Sequence, residues 1–281
     1  KSLLESLNDG IVPVADMQER LDKVEYLLKT AWESRSYFPG FSNASRVFLN
    51  ELKEPDFKLE TFFENFKEES DNQETDLKAI LENPDGHPLS QKYAKYFHNL
   101  LDRLDQYKIS NEEFMQLCML NLKPFQFKRI VDGKLRLDTD WIRDFDEEIK
   151  RSHPTKRLIE NPYLIYEDYN YWHDAHDNVF GDEEDSPIDL FKIDIAYFPD
   201  TRFKNRTPLQ RKMSFVDKRR IRALVLRYLK TLENSGDCFA TAEELEEAMN
   251  NPKSINREKY EKIRNMNLHK MEPIPVCKIP N

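Results

Sequence analysis

Glycine is scarce and scattered in this chain, and that limits its turns and close backbone approaches more than any other feature. The 281 residues contain six glycines, at positions 10, 40, 86, 133, 181 and 236, with no two closer than thirty residues. A G-x-x-x-x-G-K-[ST] phosphate loop, a G-x-G-x-x-G dinucleotide turn and a G-x-S-x-G nucleophile elbow each need two or three neighbouring glycines. None of these can form here, so the chain carries no standard ATP or NAD loop and no hydrolase elbow.

Helical periodicity fills the space that tight turns leave. Met17, Leu21, Val24, Leu27, Leu28 and Ala31 recur at three- and four-residue steps and predict an amphipathic helix from Asp16 to Trp32, stopped by Pro39-Gly40. Further helices are expected over Ala44–Leu52, Leu59–Phe66, Thr75–Leu81 and Gln91–Tyr107. Ser110 with Glu113 forms a capping box that opens Asn111–Leu120, and Pro124 sits at the first position of another helix. Strand signals are confined to Lys134–Leu137 and Ile188–Phe198. The expected class is therefore mainly α, an irregular multi-helix array with little strand and no internal repeat. The expected division is a helical unit over 1–152, a second over 153–267 joined near His153-Pro154, and a proline-containing tail over 268–281.

Composition fits a folded chain without a membrane span. Charged residues make up 34% and aromatics 12%, and no apolar run approaches the roughly 18 residues that a spanning helix needs. Cys118, Cys238 and Cys277 form no C-x-x-C pair, so neither a disulfide framework nor a zinc knuckle is indicated, and a reducing cytoplasm is the default expectation. The chain starts at Lys1 without a methionine, which suggests a piece of something longer.

The net charge of -9 averages two opposed blocks. Glu167 to Asp200 holds eleven acidic residues against Lys192, and Thr201 to Lys230 holds eleven basic residues against Asp217. In the basic block, Arg202, Lys204, Arg206, Arg211, Lys212, Arg219, Arg220, Arg227 and Lys230 are the candidate phosphate contacts, since clustered cations release counterions from a nucleic-acid backbone. On the helix expected from Asp217, the stripe Ile221, Leu224, Val225, Tyr228, Leu229 and Leu232 should face the core, with Arg219, Arg220, Arg227 and Lys230 pointing outward together. The competing reading is a solvated basic face, or one that docks on the acidic block upstream.

Three other clusters carry residue types capable of chemistry. His173 and His176, three apart and each followed by an aspartate, could share a helix face and bind a metal, though the acidic surroundings read equally as a solvated insertion. Cys118 lies in an apolar helix without a cationic neighbour and reads as core. Phe62, Phe63, Phe66, Phe125 and Phe127 could stack bases, but aromatics at helical spacing more often pack inside.

Four short patterns, taken in order, carry a family resemblance. They are Trp32-Glu33-Ser34-Arg35 with Pro39-Gly40, then Glu160-Asn161-Pro162-Tyr163-Leu164, then Ile193-Asp194 with Phe198-Pro199, and last Asp217 to Ala223 with Gly236-Asp237 and Glu243-Glu244-Leu245. Together they resemble the region upstream of the motor in stand-alone RecD-like DNA helicases of superfamily 1 and related bacterial AAA-family ATPases. The resemblance implies a non-catalytic accessory region that holds or guides DNA, single-stranded or at a duplex end, for an ATP-dependent helicase or exonuclease of DNA repair. It places the ATP-binding motor outside this chain, implies no cofactor within it, and suggests other subunits of a DNA-processing complex as partners and no membrane. The chain lacks the paired-glycine hairpin by which helix-hairpin-helix units of that family bind phosphate, so any DNA contact falls to side-chain cations. Asp217 as N-cap, Gly236 as stop and a Thr241/Glu244 capping box outline a helix-turn-helix-like pair near the C-terminus. The alternative function is a protein-interaction or scaffold domain whose basic patch pairs with an acidic surface.

Overall fold

A computed structural model describes residues 14–50, 57–132, 154–168, 188–234 and 239–250. The fold is mainly α, an irregular array of helices with no strand among the described residues. The helices include α1 (Val14–Ser34), α2 (Phe41–Phe48), α3 (Phe57–Glu69), α4 (Gln73–Glu82), α5 (Ala94–Gln106), preceded by a 3-10 turn at Gln91–Tyr93, α6 (Asn111–Met119), α7 (Pro124–Val131), α8 (Pro154–Glu160), α9 (Leu190–Tyr197), α10 (Pro208–Arg211), α11 (Lys218–Asn234) and α12 (Ala242–Asn250). None is long and apolar enough to cross a membrane.

The chain forms two compact units that are discontinuous in sequence. Among the described residues the first gathers 14–35, 199–206, 212–234 and 239–250, and the second gathers 36–50, 57–132, 154–168, 188–198 and 207–211. The division expected near His153-Pro154 lies at the edge of the described residues, which resume at Pro154. There α8 packs on α6 and α7, sealed where the buried Thr155 hydroxyl donates to the Ile130 carbonyl at 2.9 Å.

In the second unit the short helix α2 is central and touches α3, α5, α6 and α7. Phe41 explains how so short a helix organises its neighbours. Its ring lies 5.5 Å from Phe63 in a stacked pair and 6.0 Å from Phe114 edge-on, with Phe62 and Phe97 also in contact range. Such offset and edge geometries suit the ring quadrupole and add to area burial. Phe62, Phe66 and Phe127 are fully buried in this core, which settles their role as packing rather than base stacking.

Local chemistry fixes the helix ends. The Ser110 hydroxyl accepts from Glu113 N, and the Glu113 carboxylate accepts from Ser110 N at 2.7 Å, so the capping box forms as expected. Thr241 and Glu244 repeat the arrangement at α12, which packs against α11. A third box was legible but missed in the sequence. Gln210 N donates to the Thr207 hydroxyl and Thr207 N to Gln210 Oε1 at 3.0 Å, with Pro208 at the first helical position of α10.

The extended signal at Ile188–Phe198 is corrected: this stretch is helix α9. Asp189 caps it by accepting from Phe191 N. Leu190, Phe191, Ile193, Ala196 and Tyr197 are buried, and the half-buried side of α9 carries only Lys192 and Ile195, too narrow a polar face to reveal a 3.6-residue period. Lys134–Leu137 lies outside the described residues.

Candidate nucleic-acid interface

The nine candidate cations divide between the units, with Arg211 in the second and the others in the first. Most of those in the first unit make bonds within their own chain. Arg202 forks onto Asp200, with Nε 3.0 Å from Oδ1 and Nη2 2.7 Å from Oδ2, while Nη1 lies 3.6 Å from Glu25. Its guanidinium also covers the Phe203 ring at 4.9 Å, a cation-π placement. The Asp200 hydrogen bonds raise the Arg202 pKa, and the charges of Asp200 and Glu25 add to them against the opposing effect of burial.

Lys204 donates to the Arg35 carbonyl, and Arg206 donates to the Met213 carbonyl while lying 5.3 Å from the Phe215 ring centre. Arg35 itself sits over Trp32 at 5.5 Å, so the first of the four sequence patterns closes on itself at the end of α1.

Asp217 opens α11 as the sequence indicated. Its Oδ1 accepts from Arg219 N at 3.0 Å and from Arg219 Nε at 2.8 Å, and its Oδ2 accepts from Arg219 Nη2 at 2.7 Å. Burial pushes the Asp217 carboxyl up, but the Arg219 bonds and charge, helped by Lys218, hold it below the ordinary carboxylate value. A carboxyl with a lowered folded pKa contributes stability above its unfolded value near 4, and the contribution is lost as pH falls through the folded value. Asp217→Asn is therefore expected to flatten the acid limb of helix content followed by circular dichroism. An unchanged acid limb would show that the cap carries no such linkage.

The outward orientation expected of Arg220 and Arg227 is corrected. Arg220 is 3% exposed and Arg227 9%, and both share the buried face of α11 with Ala223 and Leu224. Positions 220, 223, 224 and 227 follow helical spacing, whereas Ile221, Val225, Tyr228 and Leu229 are only half-buried. The inward face is thus rotated by about one residue from the apolar stripe. Arg220 Nη1 donates to the Phe215 carbonyl at 3.0 Å, so a long side chain serves the interior. Arg219 and Lys230 are half-buried, and Arg211 and Lys212 are exposed.

The acidic block is not simply solvated either. Of its five described acidic members, Glu167, Asp168, Asp194 and Asp200 are buried and Asp189 is half-buried. In the second unit, Asp168 pairs with Arg129 at 2.9 Å, and the Tyr163 hydroxyl donates to Asp194 Oδ1 at 2.6 Å. The second bond joins the Glu160–Leu164 and Ile193-Asp194 patterns, while Asn161 Oδ1 accepts from Tyr163 N and fixes the turn. Tyr163→Phe leaves a buried carboxylate short of a donor and is expected to cost about 1.5 to 3 kcal/mol in urea unfolding. A cost near zero would show that Asp194 is satisfied without the phenol.

Cys118 is fully buried, and burial pushes its thiol well above the ordinary value, in keeping with a core residue. His173 and His176 lie outside the described residues. Among the described residues no group of histidine, cysteine and carboxylate side chains is placed to hold a metal ion.

Sequence reasoning missed the partners of these charges. Arg129 sits in an ordinary amphipathic helix with nothing to mark it, and Asp168 is one of eleven acids in its block. No protein-family model matches the chain, and no curated protein or solved structure is similar to it.

Proposed function

We propose that the chain is a non-catalytic protein-interaction or scaffold domain whose basic segment is held largely by acidic and carbonyl groups of its own chain. The observation that carries this reading is the pair of forked arginines, Arg202 on Asp200 and Arg219 on Asp217. Bidentate arginine-carboxylate pairs fix geometry and satisfy both partners, so these guanidiniums act first as structural ties. The reading has a direct test. Converting Arg219, Arg220 and Arg227 to glutamate is expected to unfold the first unit, seen as lost helix signal and protease sensitivity. A variant that keeps its fold but loses binding to labelled DNA would overturn the reading.

A second reading keeps the resemblance: a DNA-guiding accessory region of a cytoplasmic RecD-like helicase or exonuclease whose ATP-dependent motor lies elsewhere. Exposed Arg211 and Lys212, adjacent in sequence, support it. Fluorescence anisotropy with single- and double-stranded DNA decides, because phosphate contacts are strongest at low salt. Binding at about 50 mM salt that falls steeply as salt rises is expected under this reading, and none is expected under the first.

A further inference from the structure

We draw no further inference here: the strongest candidate, the side-chain pair of half-buried Lys192 on α9 and exposed Lys123 at the start of α7, is a pair of surface lysines beside a helix N-terminus, and no buried polar group among the described residues is aimed at it to mark a ligand.

Discussion

Asp168→Ala is expected to destabilise the second unit by about 3 to 5 kcal/mol. Asp168 is 1% exposed and its Oδ2 lies 2.9 Å from Arg129 Nη2, whose side chain is itself largely covered. Truncating the carboxylate leaves a guanidinium stranded away from water, and the cost is mainly that of the abandoned charge rather than the lost attraction. A double variant separates the two contributions. Replacing the pair with apolar side chains, Arg129→Met with Asp168→Leu, removes both charges together and is expected to recover most of the loss in equilibrium urea unfolding. If the single and double variants unfold alike, the stranded charge is not the cause. Should Asp168→Ala cost less than about 1 kcal/mol, the pair would be behaving like an exposed one despite its burial.

The second large effect is expected at Gly40. Its backbone angles are ordinary, with φ at -91°, so freedom of conformation is not why glycine stands there. Space is the reason. Gly40 N donates to the Cys118 carbonyl at 2.9 Å, which draws the start of α2 against the end of α6. A methyl group added at Gly40 would run into the Leu120 carbonyl oxygen and come within 2.9 Å of Phe127 Cζ. The first obstacle is backbone and cannot swing aside, and the second is a fully buried ring. Gly40→Ala is therefore expected to cost about 3 kcal/mol, at the upper end of ordinary overpacking, and to lower the melting temperature by roughly 6 to 12 °C in a calorimetric scan. A melting temperature within a degree or two of wild type would show that α2 and α6 separate at little cost. This glycine closes one of the sequence patterns that carry the helicase resemblance, so that pattern has a packing reason of its own.

Both effects arise where sequence reasoning had least to work with. Ser110 with Glu113 and Thr241 with Glu244 were legible because a capping box is a contact between residues three apart, and the chain between them imposes the geometry. Helices α1, α5 and α6 were legible because each has apolar residues at helical spacing and polar residues elsewhere. Helix α9 was not, because burial of most of its surface leaves Lys192 as almost the only polar mark from which a period could be read. The inward face of α11 differs from the periodic expectation for a related reason. Its apolar stripe contains Ile221, Val225 and Tyr228, yet arginines at 220 and 227 lie inward, since a guanidinium can be buried when acceptors such as the Phe215 carbonyl meet it.

The same contrast runs through the charges. Counting residues located an acidic block followed by a basic one, and that arrangement is a property of the sequence alone. Whether each charge would be a contact surface or a tie depended on distances between residues far apart in the chain. Asp168 found Arg129 thirty-nine residues earlier, and Asp194 found Tyr163 thirty-one residues earlier. By itself the sequence determined the helical class, several helix starts and the exclusion of glycine-rich nucleotide loops, because these depend on steric and hydrogen-bonding rules acting within a few residues. Only the tertiary structure decided which arginines serve the fold and why Gly40 cannot bear a side chain. Those outcomes depend on which distant groups come within hydrogen-bond or van der Waals reach, and helical periodicity carries no record of that.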